Sequence, residues 1–301
     1  MKKGILVIGS LNMDLSIDLA KMPVTGETIL GRGIAYKTGG KGANQACAAG
    51  KLGGRVRMLG CVGQDEFGQK LVKSLSESGV ETNYIKESRD LPTGTAVIYV
   101  DDNGDNSIVV IPGANMACDV EYLKEQDEQF HWCDYVVLQM EIPYEAVWYS
   151  VKRAKELGKT VILNPAPAPA EIPKEVFALV DYITPNETEI AALNGKSIED
   201  VKEGAENLLD QGVGNVLVTL GERGALLVNR NGETFYPARK VTSVDTTAAG
   251  DCFNGAMVAA LAEGQNESEA ILFANIASSI AVTRKGAQES LPIREEVAVI
   301  M

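Results

Sequence analysis

The chain has 301 residues, ordinary aliphatic content and no low-complexity tract, enough for one large α/β domain or two smaller ones, and a single domain of this size buries roughly 75% of its unfolded surface. Lys and Arg number 28 against 41 Asp and Glu, and the net charge of −13 argues against nucleic-acid binding and against attachment to anionic membranes. No apolar run approaches the roughly 20 residues of a membrane span, and the five cysteines, with no Cys-x-x-Cys pair, argue against a disulfide framework or zinc cluster and predict a reducing, cytoplasmic compartment.

Residues 1–9 resemble the start of a signal peptide, but Asn12, Asp14 and Asp18 interrupt the apolar region, so the segment is read as a first strand. Strands are expected at 5–8, 56–62, 135–138, 160–163, 182–184 and 216–220, alternating with helices at 42–52, 67–78, 144–157 and 198–211. This alternation predicts an α/β fold whose mostly parallel sheet is covered on both faces, with ligands at the carboxyl ends of the strands. Residues 15–37 and 95–111 break the pattern with period-two runs around turns such as Asp102-Asn103-Gly104. They read as a small antiparallel β lid, made of two insertions (about 12–38 and 94–112) into a single domain spanning 1–301. A further hairpin is expected near 215–237.

Five segments have residue types suited to chemistry. Gly9-Ser10-Leu11-Asn12-Met13-Asp14 ends the first strand and sets Asn12 and Asp14 at the ligand edge of the sheet. Gly39-Gly40-Lys41-Gly42-Ala43-Asn44-Gln45 is a glycine-rich turn entering a helix of small residues; Lys41 adds a cation, Asn44 suits sugar hydroxyls, and a plain helix-packing turn is the alternative. Asn186-Glu187-Thr188-Glu189 opens a helix, where Asn186 and Glu189 form a capping pair, a site that orders magnesium-bound waters, or both together. Thr219-Leu220-Gly221-Glu222-Arg223-Gly224 joins two strands and admits a nucleotide close to the backbone.

Asp245 to Ala256 is the most informative segment. Small residues around Ala248, Ala249 and Gly250 start a helix whose free N–H groups and partial positive charge suit a transferring phosphoryl group. Asp251 lies in that first turn, available to take a proton from an attacking hydroxyl. An acidic, tightly packed helix start is the structural alternative. Cys252 beside it reads as a packed small side chain or as an oxidation-sensitive thiol. The one histidine, His131, reads as structural, which leaves no Ser-His-Asp or Cys-His arrangement. Gly195-Lys196-Ser197 and Gly158-Lys159-Thr160 lack the earlier P-loop glycine, having Ile190 and Arg153 there, and Gln45 stands where a dinucleotide fingerprint needs its third glycine.

Taken in order, residues 39–45, 245–255 and the tail 281–288 resemble the signatures of the ribokinase family of carbohydrate kinases, over essentially the whole chain. The resemblance implies a three-layer α/β/α domain whose β lid often doubles as a dimer interface. It also implies transfer of the ATP γ-phosphate to the 5-hydroxyl of ribose. By the same resemblance Asn12, Asp14, Gly40, Lys41, Gly42, Ala43, Asn44 and Glu141 hold the sugar and Asp251 is the base. Asn186, Thr219 to Gly224, Gly250 and Asn275 contact the nucleotide, and Glu189 helps to place magnesium. Related members often have histidine where Asn275 stands. Asp245, Thr247, Ala281, Arg284, Gly286 and Ser290 correspond to a potassium site built largely of carbonyl oxygens. The competing readings are deoxyribokinase, fructokinase, pseudouridine or adenosine kinase, and a non-catalytic sugar-binding regulator; Asp251 and the glycine before it oppose the last.

Overall fold

The computed structural model describes residues 2–195 and 201–301. The first part of the chain runs β1 (Gly4–Ile8), β2 (Asn12–Asp18), β3 (Gly33–Gly39), α1 (Lys41–Lys51), β4 (Arg55–Leu59), β5 (Cys61–Gly63), α2 (Glu66–Glu77), β6 (Val80–Glu81), β7 (Lys86–Ser88), β8 (Gly94–Val100) and β9 (Asn106–Ile111). A 3-10 turn at Gly113–Ala117 leads into α3 (Val120–Glu125), α4 (Asp127–Trp132), β10 (Tyr135–Leu138), α5 (Tyr144–Glu156), β11 (Thr160–Leu163), α6 (Lys174–Phe177), β12 (Tyr182–Ile183) and α7 (Glu187–Asn194). The last part is α8 (Val201–Asp210), β13 (Asn215–Thr219), β14 (Gly224–Asn229), β15 (Gly232–Pro237), α9 (Ala249–Glu263), α10 (Glu267–Ala281) and α11 (Arg294–Ala298).

The main sheet has the order β15-β14-β13-β12-β11-β10-β1-β4-β6. It is parallel from β13 to β6, while β14 pairs antiparallel with both of its neighbours. From β1 the chain moves outward through β4 to β6, then returns to β10 on the other side of β1 and moves outward the opposite way. That reversal opens a crevice at the carboxyl ends of β1 and β10, where open α/β sheets bind their ligands.

Every residue of β1 is buried, as expected of a parallel strand covered on both faces. Ile5 and Val7 join the core under α1, α9 and α10, whereas Leu6 and Ile8 join the core under α3, α5 and α8. The result is three layers. Helix α9 is buried along twelve of its fifteen residues. A Cβ on Gly255 would lie 2.5 Å from both the Gln45 carbonyl oxygen and the Ala48 methyl, so α1 and α9 meet backbone to backbone.

The two segments outside the main sheet form a four-stranded sheet of order β3-β2-β8-β9. Each contributes an antiparallel hairpin, and the hairpins join through a parallel β2–β8 pairing that local periodicity does not disclose. The strand expected at 56–62 breaks at Gly60, where a Cβ would come within 2.4 Å of Leu11 and 2.7 Å of the Gly9 carbonyl. Beyond that close approach β5 leaves the main sheet and pairs with β7. The helix expected at 198–211 is observed as α8, and positions 198–200 lie outside the described residues. Helix α2 starts one residue early, capped by Asp65, whose carboxylate accepts from the Gly68 N–H.

Candidate active site

Ala248, the N-cap of α9, is the only non-glycine residue with positive φ (58°) among the described residues. A left-handed alanine is strained, and such strain concentrates at functional turns. It shapes the turn just before Asp251, in which the Ala249 N–H donates to the Thr246 carbonyl at 3.2 Å. Asp251 is 6% exposed. Because α1 and α9 touch, two neutral carboxamides reach its carboxylate: Asn44 Nδ2 donates to Oδ2 at 3.0 Å, and Gln45 Nε2 donates to Oδ1 at 3.0 Å. Asn44 Oδ1 is buried without a partner, an acceptor suited to a ligand hydroxyl.

The end of β1 supplies a second group. Asn12 accepts from Asn115 Nδ2 at 2.7 Å, and Asn115 also clasps the Leu11 backbone at both its N–H (2.8 Å) and its carbonyl (3.2 Å). Glu141, just past β10, accepts from Ser10 Oγ at 2.5 Å and from the Lys41 N–H at 3.1 Å. Gly40 has φ 89° and no room for a side chain, since a Cβ there would stand 2.7 Å from the Asn12 nitrogen. Gly42 is equally tight against Gly9 and Ser10, so α1 starts directly behind the end of β1. Burial, followed by the charges of Glu141 and Asp251, pushes Asp14 up to about 7, with Lys37 opposing. The Asp251 carboxylate raises the pKa of Lys41 against its burial, with Glu141 adding to the effect. The sugar candidates Asn12, Asp14, Gly40, Lys41, Gly42, Ala43, Asn44 and Glu141 thus gather at the crevice predicted by topology. They form an acceptor-rich set suited to a polyol.

A polar cleft of about 190 Å³ adjoins this group, lined by Lys41, Asn186, Glu189, Thr219, Ala248, Ala249, Gly250 and Asp251 among others. Asn186 and Glu189 cap α7 reciprocally: Asn186 Oδ1 accepts from the Glu189 N–H at 2.8 Å and Glu189 Oε2 from the Asn186 N–H at 2.9 Å. The capping role is therefore present, and both side chains still line the cleft. Burial raises the pKa of Glu189, opposed by the Asn186 backbone N–H and the Lys41 charge. From the segment 219–224 only Thr219 lines the cleft, beside Asn186 in a parallel bridge. Leu220 is buried, Gly221 to Arg223 form an exposed 3-10 turn, and Arg223 pairs with Glu187. Gly224 is required by the hairpin, since a Cβ there would meet the Tyr236 carbonyl at 2.0 Å. Asn275 donates to that same carbonyl at 3.1 Å and does not line the cleft.

Asp245 joins two loops beside α9: Oδ1 accepts from the Thr247 N–H at 2.9 Å and Oδ2 from the Gly286 N–H at 3.0 Å. Burial opposes ionisation of Asp245, but these hydrogen bonds outweigh it and lower its pKa. Ala281 and Arg284 lie on the approach to Gly286, where the Arg284 N–H bonds the Ala281 carbonyl and its guanidinium pairs with Glu296; Ser290 follows, donating to the Ala287 carbonyl at 2.8 Å. Among the described residues no cluster of His, Cys, Asp and Glu forms a carboxylate or thiolate metal cage. Cys252 is fully buried and burial pushes its thiol up to about 12, which contradicts an activated, oxidation-sensitive role. His131 sits on the surface of α4 beside Asp127 and Arg153.

Several polar residues around the site were not singled out from sequence. Ser10 and Asn115 brace Glu141 and Asn12, and Gln139, Asn164, Thr184 and Asn254 lie buried behind Asp251. The one available signal was position: Gln139, Asn164 and Thr184 each follow closely on a strand end at the ligand edge of the sheet.

The sequence model for pfkB family carbohydrate kinases matches residues 2–294. The ribokinase of Haemophilus influenzae is 38% identical, with 98% of this chain and 97% of that protein covered. The deoxyribokinase of Salmonella typhimurium is 37% identical, over 97% and 96%. The structure of Arabidopsis thaliana ribokinase complexed with ribose and ATP superposes with a TM-score of 0.94 at 33% identity, covering 100% of this chain and 99% of that one.

Proposed function

The chain belongs to the pfkB family of carbohydrate kinases, and from that premise we propose that it phosphorylates D-ribose at the 5-hydroxyl with ATP, using Asp251 as general base. The observation that carries this reading is a buried carboxylate at the start of α9, between a hydroxyl-binding group and a polar cleft. Asn12, Asp14, Lys41, Asn44 and Glu141 orient the sugar, and the Asn44 Oδ1 acceptor receives a hydroxyl. Asp251 removes the proton of the attacking hydroxyl as its oxygen bonds the γ-phosphorus, and ADP departs with the electrons of the broken P–O bond. Charge developing on the phosphoryl oxygens is met by the N–H groups at Ala248, Ala249 and Gly250, and by Lys41. Asn186 and Thr219 border the nucleotide in this reading, with Gly221 to Gly224, Gly250 and Asn275 nearby.

Magnesium fits Asn186 and Glu189 as a water-mediated site, since both Glu189 oxygens already accept from Asn186 and no acidic cage stands beside them among the described residues. When bound, it neutralises phosphate charge. Potassium fits the hard oxygen donors around Asp245, Thr247, Ala281, Arg284, Gly286 and Ser290, next to the start of α9, where a fixed cation would pre-organise the turn. We further assign the lid as a homodimer interface: its outer strands expose Ile34, Tyr36, Ile108, Val109, Val110 and Ile111. Sedimentation as a monomer at micromolar concentration would sink that assignment. No helix among the described residues is long and apolar enough to cross a membrane, and five buried free cysteines suit the cytoplasm.

A single set of assays tests substrate and cations together. ADP release is measured with ribose, 2-deoxyribose, fructose, adenosine and pseudouridine, in potassium and in sodium, for the wild type and Glu189→Ala. Ribose should show the highest kcat/KM, potassium should accelerate turnover, and Glu189→Ala should need more magnesium for half-maximal rate. A nucleoside preference overturns the ribose reading, and a Glu189→Ala effect confined to thermal stability assigns that residue to capping alone. The Salmonella deoxyribokinase makes 2-deoxyribose the competitor to measure most closely.

A further inference from the structure

Gln45 is 0% exposed, and each polar atom of its side chain is engaged. Its Nε2 donates both to Asp251 Oδ1 at 3.0 Å and to Asn164 Oδ1 at 3.1 Å, while its Oε1 accepts from Gln139 Nε2 at 2.7 Å. Asn164 Nδ2 then donates to the Thr184 carbonyl at 2.9 Å, Thr184 Oγ1 to Asn254 Oδ1 at 2.7 Å, and Asn254 Nδ2 to the Gly250 carbonyl at 2.9 Å. The chain of bonds leaves Asp251, crosses the ends of β11 and β12, and returns to α9 one residue before Asp251, with Gln139 at the end of β10 joining it as a branch on Gln45.

Asn44 and Gln45 both bond the Asp251 carboxylate, but they differ in what remains. Asn44 keeps a free buried acceptor and belongs to the sugar group; Gln45 keeps nothing for a ligand. A carboxylate torsion has a broad energy well when unheld, and a base serves only if its oxygen stays within reach of the proton it removes. Carboxamides have a further property that matters here. They neither gain nor lose protons near neutral pH, so they orient a base without competing for its proton.

We propose that Gln45 is a positioning residue for phosphoryl transfer, gripping Asp251 Oδ1 so that Oδ2 is presented to the sugar hydroxyl, with Gln139 and Asn164 holding Gln45 in turn. The inference rests on Asp251 being the base. Gln45→Met keeps length and removes the donor; kcat should fall roughly 10- to 100-fold, the range for losing a hydrogen bond to an ion, while the ribose KM moves less than about threefold. In an Asp251→Asn background the same change should cost almost nothing further, because the two residues act as one unit. Gln139→Met, which does not touch Asp251, should lower kcat by a smaller factor, about threefold, and add nothing to Gln45→Met. It serves as the test if Gln45→Met fails to fold. An unchanged kcat, an effect carried by KM, or equal losses with and without Asp251 each overturn the proposal. Near-wild-type turnover of Asp251→Asn alone identifies instead a failure of the base assignment.

Discussion

Replacing Asp251 by asparagine is expected to lower kcat by roughly 10²-fold or more, while the fold and nucleotide binding persist. The substitution preserves shape but removes the proton acceptor. Asn44 and Gln45 both donate to the present carboxylate, so the new amide can satisfy one of them through its oxygen and sets its own NH₂ against the other. That mismatch costs less than an unpaired buried charge, and the substitution relieves repulsion with Asp14 and Glu189 while giving up the attraction to Lys41, so the charge effects oppose one another. Thermal stability should therefore hold within a few degrees. Steady-state ADP release, paired with calorimetric titration of the nucleotide, separates chemistry from binding; near-wild-type turnover would falsify the role of Asp251.

The second large effect concerns Asp14. Burial and the neighbouring carboxylates of Glu141 and Asp251 push its pKa up to about 7 from 3.8, with Lys37 opposing and Glu289 adding to the rise. A carboxyl whose folded pKa lies above its unfolded value contributes stability that is complete below the unfolded pKa and is lost as pH rises through the folded pKa. The free protein should therefore lose on the order of 4 kcal/mol at this group between acidic pH and pH 8. Asp14→Asn removes that contribution to the slope, and its melting temperature should exceed the wild type's most at pH 8, by less at pH 5, and not at about pH 3, where the wild-type carboxyl is protonated in both states. Binding responds in the opposite direction. If the carboxylate form accepts sugar hydroxyls, the wild-type ribose KM should rise about tenfold from pH 8 to pH 6 as Asp14 takes its proton. In Asp14→Asn the KM should be raised and flat across that range. A wild-type KM that stays constant between pH 6 and pH 8 would remove Asp14 from the sugar group. The two measurements together describe a residue kept at a cost to stability for what it does in the site.

Asn186 and Glu189 show why single motifs read ambiguously. The same three-residue spacing that makes a capping box also lines the cleft, because a helix start that needs its N–H groups satisfied is also a place where anions are held. Gly224 gives the converse: a glycine that suited close nucleotide approach is required by the Tyr236 carbonyl across the hairpin. Cys252 shares the first turn of α9 with Asp251, yet helix position alone did not predict its chemistry, since complete burial raises its thiol pKa.

Sequence by itself determined the layered α/β fold, the two lid segments and the glycine-rich and small-residue turns that start α1 and α9. Those are local properties: apolar runs of strand length, helical periodicity, and turns that only small residues can make. It also singled out Asp251, by its place at a helix start and by the absence of a convincing histidine rival. Tertiary structure alone decided what surrounds that carboxylate. Reversal of strand order at β1 and β10 brought Asn12 and Glu141 to one crevice, and the close approach of α1 to α9 at Gly255 carried Asn44 and Gln45 to Asp251, about 200 residues away in the chain. The buried amides behind Asp251 follow from the same geometry. A polar side chain at a strand end has no sequence mark of what it bonds, because its partner is chosen by packing between elements distant in the chain.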